Sequence, residues 1–232
     1  MKPNSISIGS VFWLYLLTIV SQLANIVYEA YINQSAIVPL LLPSLLFLTL
    51  LTVPALIIGF RLGPEIRLKH PETKNAFIFT LVSSVSLGVL LLLLRWALLP
   101  YLPESIPEYG FRGFIGGTLV SIGAAVGEEV WFRFGLMTLV LWLVKKTFKL
   151  DLISNRFALS VIVVIAFLFG LAHLPQLSAV GADTMFAVWA TILGNIAVGV
   201  LYGWCFWRYG LFYAIIAHFS LDIVLHALPA LF

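Results

Sequence analysis

Gly127-Glu128-Glu129-Val130-Trp131-Phe132-Arg133 places two carboxylates and a guanidinium inside an apolar run that extends over 111–144. An ionisable side chain at membrane depth costs about 2.5–3.5 kcal/mol even on insertion scales, so such groups read as functional, with partners elsewhere. The partners offered by the rest of the chain are His173, His218 and Asp222, which also lie in apolar runs. The fold therefore turns on whether this run crosses a bilayer.

Composition says that it does. Of 232 residues, 62% are hydrophobic and 10% charged, where a soluble domain carries about 25% charged residues. The mean hydropathy is +1.08. The chain reads as all-α, a polytopic transmembrane helix bundle, and as one integral membrane domain over 1–232. Its net charge of +3 gives no reason to expect nucleic acid as a partner. A single cysteine, Cys205, excludes an intrachain disulfide and a cysteine metal cluster, and reads as a small apolar packing residue.

A crossing helix needs about 20 apolar residues. Seven runs meet or approach this: 11–31, 36–60, 76–101, 111–144, 157–174, 184–207 and 211–228. The first follows Lys2 without a small-residue cleavage site and reads as a retained span. Basic residues alternate between connections. Arg61, Arg67, Lys69 and Lys74 occupy the second, Lys145, Lys146, Lys149 and Arg156 the fourth, and Arg208 the sixth. The other connections hold only Arg112, with Glu104, Glu108 and Asp183, while Arg95 sits where it can snorkel outward. The positive-inside rule then gives a cytoplasmic N-terminus, seven crossings and a C-terminus outside. The run 111–144 is long, roughly 50 Å of ideal helix against a core of about 30 Å. It tilts and protrudes, or it breaks at Gly123 or Gly127 and adds a re-entrant piece or an eighth crossing.

Helical spacing sorts the charges. Glu128 and Glu129 point about 100° apart and cannot share one task. Arg133 follows Glu129 by four, on the same face, so those two form a self-neutralising pair. Glu128 is left as the carboxylate free to face a cavity. Phe169-Gly170-Leu171-Ala172-His173 puts a histidine near the predicted outer end of its span, with Gly170 and Ala172 small enough for close helix approach. Taken alone, His173 reads as an interfacial histidine bonded to a carbonyl. His218 and Asp222, four apart, bring a ring and a carboxylate within hydrogen-bond reach. His226 continues that stripe at the membrane edge, and His70, among basic residues in the second connection, reads as non-catalytic. On these span limits His173 and His218 fall at different depths. No H-E-x-x-H helix, G-x-S-x-G elbow or pair of intramembrane aspartates is present.

The three clusters, in this order, resemble the CAAX protease and bacteriocin-processing family of intramembrane glutamic-type endopeptidases, which includes the type II CAAX prenyl endopeptidase. The matching residues are Glu128-Glu129-x-x-x-Arg133, Phe169-x-x-x-His173 and His218-x-x-x-Asp222, with Gly194-Asn195 through Gly199, Gly203 and Gly210 leading into the last. The motif-bearing core is about 111–228. The resemblance implies a membrane-embedded peptidase in which Glu128 and His173 activate a water while His218 and residue 222 stabilise the oxyanion, with Glu129, Arg133 and Phe169 in support. Residue 222 is Asp where the eukaryotic-type enzymes have Asn, and a carboxylate beside an oxyanion is unfavourable unless protonated. Asp222 then orients His218 instead. The implied partners are the bilayer and a peptide or protein substrate, lipidated or membrane-inserted, and no cofactor is expected. One alternative makes Glu128, His173 and His218 zinc ligands of a metalloendopeptidase, since three protein ligands and a water form a catalytic zinc site. The others are a non-enzymatic membrane immunity or scaffold protein and, last, a proton-coupled transporter.

Overall fold

A computed structural model describes residues 8–66, 73–108 and 110–232. Lys2, Arg67, Lys69 and His70, read above from sequence, lie outside the described residues. Every regular element among the described residues is a helix. The order is α1 (Ile8–Ile32), α2 (Val38–Ile66), α3 (Thr73–Leu98), α4 (Gly113–Glu128), a π-helical stretch (Glu129–Met137), α5 (Thr138–Thr147), α6 (Asn155–Ala172), a short α7 (Leu174–Ala179), α8 (Met185–Tyr209) and α9 (Leu211–Asp222). The chain ends in a π-helical turn, Ile223–Ala227, and a 3₁₀ turn, Leu228–Leu231.

Among the described residues, six helices are long and apolar enough to cross a membrane: Ile8–Ile32, Val38–Ile66, Asn75–Tyr101, Asn155–Ala179, Met185–Tyr209 and Leu211–Leu231. The motif-bearing helix is not among these six. It is nonetheless continuous over 113–147, because the residues at both junctions keep right-handed helical backbone angles. The break considered at Gly123 or Gly127 does not occur; both lie inside α4. The irregularity comes one residue after the first glutamate, where the turns widen. The Thr138 amide bonds back to the Arg133 carbonyl, and the Thr138 hydroxyl donates to that same carbonyl at 3.1 Å. Such widened turns are rare and concentrate at functional sites.

Polar contacts mark the two ends of the bundle. At one end Arg112 pairs with Glu29, the Tyr28 hydroxyl donates to the Arg112 carbonyl at 3.2 Å, and Arg95 donates to the Pro107 carbonyl at 2.9 Å. At the other, Lys146 pairs with Glu65 at 3.0 Å, Lys145 donates to the Glu65 carbonyl at 2.7 Å, and the Trp207 indole donates to Asn155 at 3.0 Å. Arg112 and Lys145 bracket the 113–147 helix, so it traverses the bundle from end to end.

The core lies where this helix meets α6, α8 and α9, around buried Met137, Leu141, Ile162, Ile165, Phe169, Tyr202 and Leu221. Cys205 is buried there too, its sulfur 3.8 Å from the Thr80 hydroxyl. Large apolar side chains on the outer faces, Leu50 and Leu90 among them, stay exposed, as a lipid-facing surface requires. Close approach of α6 and α8 depends on missing side chains. A Cβ at Gly170 would stand 3.0 Å from the Ile192 carbonyl oxygen, and one at Gly199 would stand 2.9 Å from the Ala166 Cβ. Ala172, also read as a packing residue, instead faces outward. The turn from α8 to α9 is made at Gly210, whose φ of 98° lies where a residue with a Cβ is strained.

Candidate active site

Three helices bring the charged residues to one place. The 113–147 helix supplies Glu128, Glu129 and Arg133, α6 ends at Phe169 and His173, and α9 supplies His218 and Asp222. Glu129 and Arg133 are fully buried, with Arg133 Nη1 3.1 Å from Glu129 Oε1. The spacing of four thus yields an intrahelical ion pair. Arg133 also reaches α8, donating from Nη2 to the Gly199 carbonyl at 3.3 Å, and its guanidinium carbon lies 4.6 Å from the Phe169 ring centre.

Glu129 has a second partner that no sequence spacing indicates. His218 Nδ1 is 2.9 Å from the same Glu129 Oε1, so the ring donates its Nδ1–H to that carboxylate. The opposite ring nitrogen, Nε2, faces two other carboxylates, Asp222 Oδ2 at 3.4 Å and Glu128 Oε2 at 3.9 Å. One imidazole therefore ties together both glutamates and the aspartate. Tyr202 stacks on its face, with ring centres 4.3 Å apart and planes 17° from parallel.

Glu128 occupies the edge of this cluster. Its side chain is 21% exposed, whereas those of Glu129 and Arg133 have no exposure. The two adjacent carboxylates thus differ, one locked in an ion pair and the other at the opening. His173 terminates α6. Side chains on a helix lean toward its N-terminus, and the His173 ring folds back over Phe169, with ring centres 4.6 Å apart. Phe169 also stands edge-on to His218 at 6.1 Å. His173 thus reaches the cluster through Phe169, whose ring contacts both imidazoles. Its Nδ1 donates to the Phe169 carbonyl at 2.8 Å. That bond leaves Nε2 as the accepting nitrogen of the neutral ring.

His226 lies one turn past Asp222 in the terminal π-helical turn, partly buried. Tyr202 and the Gly199 carbonyl are the site groups that sequence reasoning passed over. A tyrosine between two glycines, Gly199 and Gly203, in an apolar helix was the available signal. Among the described residues, no group of three His, Cys, Asp or Glu side chains is arranged to hold a metal ion.

Residues 110–224 match the family model described as type II CAAX prenyl endopeptidase Rce1-like. That segment belongs to the Rce1-like family. It contains every charged and aromatic residue of the cluster described above. No curated protein and no solved structure matches the chain. The match of this segment and the six membrane-spanning-capable helices among the described residues fit a membrane protease, a hydrolase of the CAAX type. Helices α1 and α2 lie outside the Rce1-like segment yet pack on it. Gln22 donates to the Gly123 carbonyl at 2.6 Å, and the Trp131 indole donates to Thr52 at 3.0 Å.

Proposed function

We propose that this chain is an intramembrane endopeptidase in which Glu128 and His173 activate a water. The observation that supports this most is the contrast between the neighbouring glutamates, one sealed against Arg133 and the other partly open beside His218. A general base must reach its proton directly or through one water, and Glu128 is the carboxylate placed to do so.

In this reading the water oxygen attacks the scissile carbonyl carbon as its proton passes to Glu128. The carbonyl π electrons move onto oxygen and form a tetrahedral oxyanion. His218, held by Glu129 and aligned by Asp222, donates toward that oxygen. The intermediate collapses with cleavage of the C–N bond, and Glu128 returns the proton to the leaving amine. His173, through its accepting Nε2, helps orient the water. The substrate is a peptide at the membrane, either a lipidated C-terminal peptide, a leader peptide or a membrane segment. The four groups act within one integral domain, whose motif-bearing core is 111–228.

The alternative reading makes Glu128, His173 and His218 ligands of a zinc ion. Elemental analysis of purified protein and activity in the presence of a chelator distinguish the two mechanisms. The decisive variant is Glu128→Gln in proteoliposomes with a quenched-fluorescent peptide bearing a farnesylated cysteine. Loss of cleavage with an unchanged unfolding midpoint is expected; a fully active variant would refute the reading.

The topology belongs to the same proposal. We infer that 113–147 is a seventh crossing. Consecutive crossings α1 and α2 end on opposite sides, and this helix is tied to the end of α1 through Glu29 and to the end of α2 through Glu65. Basic connections then place the N-terminus in the cytoplasm and the C-terminus outside.

A further inference from the structure

We propose that Tyr202 is a further catalytic residue, whose phenol O–H is the neutral hydrogen-bond donor to the oxyanion. The inference rests on the hydrolytic reading above and adds a residue to it. It starts from a gap in the donor set. An acyl oxyanion is stabilised by preorganised donors. Asp222, ionised, accepts hydrogen bonds and donates none. It also stands 3.4 Å from His218 Nε2, where it competes for that nitrogen's hydrogen.

Several neutral donors near the cluster are spent, while Arg133 Nε and Nη1 have no hydrogen-bond partner but belong to a guanidinium held in the Glu129 ion pair. The Trp131 indole is bonded to Thr52, Gln22 to the Gly123 carbonyl, Ser121 to the Gly117 carbonyl and Asn195 to the Thr191 carbonyl. Tyr202 is different. It has 0% exposure, and its hydroxyl has no hydrogen-bond partner. Buried hydroxyls are nearly always bonded, so an orphan calls for an explanation. The ring itself is fixed by its stack on His218 and by the Arg133 guanidinium carbon, 5.4 Å from its centre. Its ring thus lies against two side chains of the site, His218 and Arg133. A rigid, unspent neutral donor on a ring stacked against His218 is what the developing oxyanion needs. No bond forms or breaks at Tyr202. Its hydrogen bond strengthens as the carbonyl oxygen gains charge and weakens when the C–N bond breaks.

The test is Tyr202→Phe, which keeps the ring and removes the hydroxyl. With the farnesylated fluorogenic peptide, kcat should fall about 10²–10³-fold, the loss typical of one oxyanion donor, with KM unchanged. The unfolding midpoint in detergent should stay level or rise, because an orphan group has been deleted. Asp222→Asn restores a neutral donor, so in that background the Tyr202→Phe loss should shrink, a non-additivity that reports coupling. A lowered midpoint would assign the hydroxyl to a structural bond and overturn the proposal. So would a Tyr202→Phe variant within twofold of the parent, or an undiminished loss in the Asp222→Asn background. The two readings separate cleanly. Full activity of Tyr202→Phe beside an inactive Glu128→Gln removes Tyr202 alone, whereas an active Glu128→Gln removes the hydrolytic mechanism.

Discussion

Glu129 does more at the residue scale than neutralise Arg133. A single oxygen, Oε1, takes both Arg133 Nη1 and His218 Nδ1, so the ion pair also fixes an imidazole on another helix. Breaking one partner of a buried pair leaves an uncompensated charge, at a cost of about 3–5 kcal/mol. Arg133→Met should therefore lower the unfolding free energy in detergent by that order and reduce activity through loosened His218. The double variant Glu129→Gln/Arg133→Met should recover much of the stability, because no lone charge remains, but not the activity. Wild-type stability in Arg133→Met alone would contradict this account. Pairs four apart in one helix, Glu129 with Arg133 and His218 with Asp222, were legible in the sequence because helical spacing decides them. The Glu129–His218 bond and the Tyr202 stack were not, because they depend on how separate helices cross.

At the scale of elements, the apolar runs predicted helices well, since period and length are local properties. What they could not show was how a run of more than 30 residues (111–144) accommodates three charges. Glycine suggested breaks at 123 and 127, but a glycine in a membrane helix also serves packing, and here the helix stays whole and widens after Glu128. The close α6–α8 contact is the element that holds Arg133 against Gly199. A Cβ at Gly199 would lie 2.9 Å from the Ala166 Cβ and 3.4 Å from Arg133 Nη2. Gly199→Val should thus destabilise by about 1–3 kcal/mol through overpacking and cut cleavage by displacing Arg133. Gly194, on the same helix, has open space around its Cα, and Gly194→Ala should stay within about 0.5 kcal/mol of the parent. Equal effects of the two substitutions on the unfolding midpoint would exclude helix contact as the cause.

For the whole molecule, charge alternation and end-to-end contacts argue the same topology from independent grounds. Lysines and arginines cluster in alternate connections, the pattern expected if those connections are cytoplasmic. The contacts of Glu29 and Glu65 require 113–147 to pass between opposite ends of the bundle. In the proposed seven-span topology, Glu128, about midway along the helix, lies at membrane depth rather than in a loop. The consequence is measurable with a membrane-impermeant maleimide. Cys205 is the sole cysteine and is buried, so a Cys205→Ala background gives a clean reporter. Ser105 and Asp151 are both exposed and lie in the connections flanking the helix. Ser105→Cys should label in intact cells, and Asp151→Cys only after the membrane is permeabilised. Labelling of both from the same side would mean that 113–147 does not cross. The glutamates would then sit in a re-entrant helix, and the peptide bond would be hydrolysed near one surface instead of within the bilayer.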